Sequence, residues 1–211
     1  MRVLSVNVGM PREVPWNGGT VLTGIFKDPV ASAVPLRKLN FDGDGQADLS
    51  VHGGRDKAVY AYPSEHYGDW QALLGRSLLP GAFGENLTTE GLIEDQVHIG
   101  DEFRIGTARL VVTQPRMPCY KLGIRFGHPG MVKTFLQRGR PGIYFAVVEE
   151  GHVGPGDFIE QVHADERQIT VTDMLHLIVN REPAPADLRR LLEVPALAGV
   201  WREEFQSWLA K

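Results

Sequence analysis

Short runs of β-forming residues, three to seven long, recur at close spacing through the first three quarters of the chain, and Gly, Pro or Asp punctuates almost every gap. The runs are Arg2–Val8, Thr20–Phe26, Val34–Asn40, Ala58–Tyr62, Val97–Ile99, Glu102–Ile105, Ala108–Gln114 and Ile143–Val148. Strands this short and this closely spaced cover their apolar faces by curling into a barrel or stacking as a sandwich, so the spacing predicts a mainly β fold. The 24 glycines and 14 prolines among 211 residues amount to about 18 %, above the usual ~12 %, as a chain with many turns requires. Asn17-Gly18-Gly19 and Gly106-Thr107 stand where hairpins must turn, and Gly supplies the positive φ such turns use.

Two segments break the β rhythm. Pro63–Leu74 places Tyr67, Trp70, Leu73 and Leu74 on one helical face, and Pro129–Gln137 does the same with Val132, Phe135 and Leu136. Both predict short helices flanking the strands. Beyond residue 165 the pattern becomes helical: Asp173 as an N-cap for Met174–Val179, then Ala186–Leu192 after two prolines, then Val200–Leu209. The expected organisation is a β domain over residues 1–165 and a helical unit over 166–211. Three short helices bury little by themselves, so the unit should dock on the β domain or reach away toward a partner. Gly100-Asp101-Glu102-Phe103 and Gly156-Asp157-Phe158 look alike, but two such turns do not make a repeat.

Charge and cysteine content exclude several functions. With 22 basic and 26 acidic residues the net charge is −4, which leaves no polybasic surface for a nucleic-acid polymer or a membrane. The segment Met1–Gly24 has no apolar stretch of signal-peptide length, and no segment approaches the roughly 18 apolar residues of a membrane span, so a cytoplasmic protein is expected. A single cysteine, Cys119, rules out an internal disulfide, a structural multi-cysteine zinc site and a four-thiolate iron–sulfur cluster within this chain. Asp42-Gly43-Asp44-Gly45-Gln46 opens like a calcium loop, but Ala47 stands at the sixth position and Gly53 at the twelfth, where Gly and Glu are needed. No P-loop, Rossmann glycine pattern or HExxH occurs, and nothing calls for pyridoxal phosphate.

Three segments carry the remaining chemistry. In Gln114-Pro115-Arg116-Met117-Pro118-Cys119-Tyr120-Lys121-Leu122 the thiol follows a buried-strand pattern and lies between Arg116 and Lys121. Two nearby cations, with a helix starting close to Cys119, favour a thiolate; the competing reading is a small buried hydrophobe, which would sit more naturally inside a strand. Val51-His52-Gly53-Gly54-Arg55-Asp56-Lys57-Ala58-Val59-Tyr60 is a glycine turn bearing His52, Arg55 and Lys57, either an anion-binding turn or a hairpin with solvated charges. Gly81-Ala82-Phe83-Gly84-Glu85-Asn86-Leu87-Thr88-Thr89 offers a carboxylate and an amide beside a glycine, or an ordinary turn. His66, four residues into the helix that follows the Val51–Tyr60 segment, reads as a solvent-facing side chain.

Taken in order, these segments resemble the MOSC family, the domain named for the C-terminal part of molybdenum-cofactor sulfurases, and most closely its YiiM-type branch. The resemblance runs from Val34 to Ile159 and rests on Gly45-Gln46-Ala47-Asp48, Val51-His52-Gly53-Gly54, Asp56-Lys57-Ala58-Val59, Tyr62-Pro63, Phe83-Gly84-Glu85-Asn86-Leu87, Gly100-Asp101, Pro115-Arg116, Pro118-Cys119 and Tyr120-Lys121-Leu122. The helical tail is similar to the three-helix extension of that branch. The resemblance implies a β-barrel that holds the molybdenum cofactor, a molybdenum pyranopterin dithiolene, with Cys119 as the metal ligand. It implies Lys57, Arg116 and Lys121, with Arg55, as phosphate-binding cations. Gly53, Phe83, Asn86 and Tyr120 would line the cofactor, and His52 and Glu85 would deliver protons. The implied reaction is reductive removal of oxygen from small N-hydroxylated substrates such as 6-hydroxylaminopurine, fed by a separate electron-donating reductase. A homodimer is compatible with this reading. Two other functions stay open on the residues: a cofactor or sulfur carrier using Cys119, and a cysteine hydrolase with His52 or His66 as base. A metal-free binding barrel is the remaining possibility.

Overall fold

The first strand of the computed structural model occupies the residues the sequence predicts: β1 spans Arg2–Val8. The structure describes residues 1–49, 52–180 and 183–210. Next come β2 (Arg12–Trp16) and β3 (Gly19–Thr23), a hairpin with Trp16 opposite Gly19. Its two turn residues, Asn17 and Gly18, have φ of 49° and 78°, the pair of positive values a tight hairpin with right-handed strand twist needs. Then follow β4 (Asp28–Val30), β5 (Val34–Leu36), β6 (Val59–Pro63), α1 (Tyr67–Leu74), β7 (Leu87–Glu90), β8 (Glu102–Ile105), β9 (Ala108–Pro115), α2 (Tyr120–Phe126), α3 (Met131–Arg138), β10 (Ile143–Glu149), β11 (Gly151–Val153) and β12 (Ile159–His163). The chain ends in α4 (Val171–Asn180), α5 (Pro185–Leu192) and α6 (Gly199–Leu209). No helix among the described residues is long and apolar enough to cross a membrane.

Eight strands form one sheet in the order β12-β8-β9-β10-β6-β7-β1-β4, antiparallel except for the parallel β6–β7 pair. The expected barrel is not present as a closed ladder. The β12 end instead comes round to β1 through one bridge, Arg2 to Phe158, with Val3 N–H donating to Asp157 O (2.9 Å), Gly156 N–H to Val3 O (2.8 Å) and Ile159 N–H to Met1 O (3.0 Å). β5 pairs with β11 in a separate small sheet.

The departures from expectation have local causes. Val97–Ile99 is no strand: Ile99 N–H donates to Ile169 O and Val171 N–H to Val97 O, both at 2.9 Å, so the segment pairs with the entry to α4. The run predicted to Asn40 stops at Leu36, where Arg37 N–H turns back to Asn40 O (2.8 Å). The α4 cap lies three residues earlier than expected: Thr170 Oγ1 accepts from Asp173 N–H (2.9 Å) while Asp173 Oδ2 accepts from Thr170 N–H (3.1 Å), a reciprocal capping box.

Two apolar clusters position the site. The larger joins the sheet (Val3, Val6, Leu87, Phe103, Phe145) to the last three helices (Met174, Leu188, Leu191, Phe205), so the helical segment shares the core of the sheet. The smaller is aromatic, with Tyr62, Trp70, Phe83, Phe126 and Phe135 beneath α1, α2 and α3. Phe83 lies 4.4 Å from Tyr62 between ring centroids, and Trp70 stacks on Phe135 at 5.8 Å. This rigid aromatic base underlies the loops that carry the chemistry.

Candidate functional site

β9 runs buried to Pro115, after which the chain leaves the sheet as Arg116-Met117-Pro118-Cys119 and enters α2. Cys119 is the N-cap, with extended φ and ψ of −119° and 174°, and it stays part-exposed. His52 reaches it from the loop before β6: Nε2 is 3.6 Å from Sγ. Val51, which begins the same motif, lies outside the described residues.

Both side chains face a cleft that is open on one side. Its wall includes Gly53, Lys57, Asn86, Arg116 and Lys121, as expected, together with Lys27, Tyr60 and Tyr144. The segments around Gly24, Gly45 and Gly84, with Met117, complete the wall. Close packing there depends on glycine: a Cβ on Gly24 would lie 2.3 Å from Gly45 O, a distance no side chain tolerates.

Four cations, Lys27, Lys57, Arg116 and Lys121, line the cleft, and no carboxylate does among the described lining residues. A cleft of one sign within a chain of net charge −4 focuses its potential on anions. Arg116 is buried: its guanidinium donates to Phe83 O (2.6 Å) and Tyr60 Oη (3.3 Å) and lies 4.7 Å from the Tyr60 ring centroid. Lys27 is buried in an ion pair with Asp44. Gly9 N–H (3.0 Å) and Asn86 Nδ2 (2.9 Å) also donate to that carboxylate. Burial pushes the Lys27 pKa down more strongly than Asp44 draws it up. His52 is likewise held below the usual histidine value, by burial first and then by Lys121, Lys57 and Arg116, against an opposing pull from Asp48. Its imidazole is therefore neutral at pH 7.

Four expected site residues do not reach the cleft. Glu85 is fully buried and accepts four donors: Tyr67 Oη, Gly81 N–H (2.8 Å), Phe83 N–H (2.9 Å) and Thr88 Oγ1 (2.9 Å). Its carboxyl group is held inside the loop it shapes and lies outside the lining of the cleft. Phe83 is buried in the aromatic cluster and offers only its carbonyl, to Arg116. Arg55 is exposed and lines a separate crevice beside Pro195–Gly199. Tyr120 points to solvent. His66 is buried rather than solvent-facing, with Nε2 2.7 Å from Glu94 Oε2, and it is not among the cleft residues.

The motif pattern matches the family model for the MOSC domain over residues 48–160, slightly more than half of the chain. The chain belongs to the MOSC family. Residues 169–211 match a second model, the YiiM-like, 3-alpha helix domain, which corresponds to α4, α5 and α6. The MOSC chain is 46 % identical over 205 residues to the uncharacterized protein YflK of Bacillus subtilis, covering 97 % of this chain and 93 % of that one. It is 32 % identical over 184 residues to a Gibberella moniliformis protein named "Reductase", covering 84 % of this chain but 32 % of that protein. The crystal structure of YiiM from Geobacillus stearothermophilus superposes with a TM-score of 0.83 at 36 % identity, over 99 % of this chain and 98 % of that one.

MOSC domains are generally associated with binding the molybdenum cofactor, and the donor set can be tested against that group. No group of three or more His, Cys, Asp or Glu positioned to hold a metal ion occurs among the described residues. The cleft thus lacks the several ligands that a metal held by protein alone requires. A soft metal carried on a dithiolene and a phosphate asks for less: one sulfur ligand and a cationic wall. Cys119 and the cations Lys57, Arg116 and Lys121 fit both needs.

Proposed function

We propose that the chain is a cytoplasmic, molybdenum-cofactor-dependent reductase of small N-hydroxylated compounds. The observation that carries this reading is the part-exposed Cys119 thiol, 3.6 Å from His52 Nε2, in a cleft lined by cations and free of carboxylates among its described residues. The relative named "Reductase" supports the reaction class. On this reading the curled sheet is the barrel of the family, residues 1–165 form the catalytic domain and 166–211 its helical appendage.

Cys119 Sγ would bind the metal, and Lys57, Arg116 and Lys121 would hold the phosphate. When bound, the cofactor supplies two-electron removal of oxygen, in the balance R–NH–OH + 2 e⁻ + 2 H⁺ → R–NH₂ + H₂O. His52, neutral in this setting, can take the proton that Cys119 must lose to become a ligand. The same imidazole, part-exposed in the cleft, can then relay protons from solvent. Arg116 is fixed by Phe83 O and Tyr60, so its charge is already oriented before a ligand arrives. Electrons would come from a separate reductase, since this sequence carries one cysteine, used for the metal, and no nucleotide motif for a second redox group.

The test is elemental analysis of the wild type and Cys119→Ser after expression in a host that makes the cofactor. Molybdenum should accompany the wild type and fall by about tenfold or more in the variant. Wild-type protein free of molybdenum would overturn the reading. The part-exposure of Cys119 also suits a carrier that passes cofactor or sulfur to another protein. Turnover of 6-hydroxylaminopurine by loaded protein with a chemical reductant distinguishes the two, because a carrier gives none.

A further inference from the structure

The turn Arg55–Lys57 is one 3-10 turn without a side-chain cap, entered through Gly54 at φ 80°. So short an element does not hold its own position. Its fixed points lie elsewhere. Asp56 Oδ2 accepts the backbone N–H of Gly199, the first residue of α6, at 2.8 Å. The Asp56 carbonyl accepts from Thr113 Oγ1 at 2.7 Å, and Thr113 O in turn accepts from Ala198 N–H at 3.3 Å. Three bonds thus stitch together β9, the turn and the start of α6.

The carbonyl of Asp56 and the nitrogen of Lys57 belong to one planar peptide. Fixing that carbonyl on Thr113 orients the peptide from which Lys57 extends into the cleft, and Lys57 N–H closes the turn on Gly54 O at 3.1 Å. The Asp56 charge also counters the burial that lowers the Lys57 pKa.

We infer that Asp56 is a positioning residue, which uses the first turn of α6 as an anchor and so makes the three-helix segment a structural part of the anion-binding wall at Lys57. This rests on the reading that Lys57 binds an anion. It gives the helical segment a role inside the site, separate from any contact with an electron donor.

Inorganic phosphate is the probe, titrated into full-length protein and followed by amide NMR shifts around the cleft. Lys57→Ala should weaken phosphate binding about fivefold or more, as loss of a charge-assisted contact does. Asp56→Ala should weaken it about threefold or more, and the double variant should bind no more weakly than Lys57→Ala, since the two residues act through one contact. Asp56→Asn keeps an oxygen for Gly199 N–H and should stay within about twofold of wild type. Thr113→Val removes the second anchor at nearly constant volume and should weaken binding in the same direction, which decides the matter if Asp56→Ala does not fold. Wild-type affinity in Asp56→Ala or Thr113→Val, with loss in Lys57→Ala, overturns the inference and leaves the anion site standing. Equal loss in Asp56→Asn and Asp56→Ala also overturns it, because charge rather than anchoring would be acting. Unchanged binding in Lys57→Ala sinks the anion reading itself.

Discussion

Replacing Asp44 by Asn should make the folded protein marginal at neutral pH and relieve it in alkali. The Asp44 side chain is fully buried and accepts three donors: Lys27 Nζ, Gly9 N–H and Asn86 Nδ2. An amide offers one oxygen and one NH₂, so whichever way it turns, a donor meets a donor. The larger loss is electrostatic, because Lys27, 7 % exposed, loses the carboxylate that pairs it and must either hold an unpaired buried charge or give up its proton. Breaking a buried pair in this way costs about 3–5 kcal/mol. Against a total of about 5–15 kcal/mol that is a large fraction, and for a chain of this size it lowers the melting temperature by about 6–20 °C. The pH dependence follows from the direction of the Lys27 shift. Its folded pKa lies below 10.5, and both effects of Asp44 raise it, so removing Asp44 lowers it further. Between that lowered value and 10.5 the unfolded chain binds more protons than the folded one, so stability rises with pH through this window. Urea unfolding of wild type and Asp44→Asn, followed by circular dichroism at pH 7 and pH 9.5, should show the deficit shrinking at the higher pH. Other titrating groups are common to both proteins and drop out of the difference. Adding Lys27→Met to Asp44→Asn should recover more than half of the loss at pH 7, since no buried charge then lacks its partner. A deficit below about 1 kcal/mol at pH 7, smaller than the usual penalty for one unsatisfied buried group, or one that grows with pH, would refute the argument.

Two shorter predictions follow. Glu85→Gln sets an NH₂ against donors that now converge on a carboxylate and should cost about 2–4 kcal/mol in thermal unfolding, while the pH profile of turnover, measured below the melting temperature, keeps its shape. A changed profile would return Glu85 to the chemistry. Truncation after residue 165 removes Met174, Leu188, Leu191 and Phe205 from the core they share with the sheet, so the remainder should fail to unfold cooperatively. A soluble, cooperatively melting fragment that lost only its electron supply would show that the helices are a mere docking appendage.

Much of the fold was legible because the local signals were strong. β1 and β8 begin and end where residue pattern and turn glycines place them, and α5 and α6 each start one residue earlier than expected. The strands that went unread lack the usual alternation. β12 buries only Ile159, β7 is a short run of buried threonines, and β2 carries Pro15 among charges. In the site, motifs in the loops brought out Cys119, His52, Lys57 and Arg116, which the fold does bring to one cleft. Adjacency in sequence misled where a neighbour faces another way. Tyr120 follows Cys119 yet points to solvent, and Arg55 shares a turn with Lys57 yet lines another crevice. Lys27, Tyr60 and Tyr144 carried no signal, since their character comes from burial and from partners distant in the chain, such as Asp44 and Arg116.

The bridge that brings the β12 end of the sheet round to β1 also bears on how the molecule forms. Val3 and Asp157 exchange their hydrogen bond across 154 residues of sequence, and Arg2 meets Phe158 over a similar span. Such pairings cannot reward the chain until a very long loop has closed, so this protein should fold slowly for its size. Until then β1 presents one half-unpaired edge, and the refolding yield should fall as protein concentration rises.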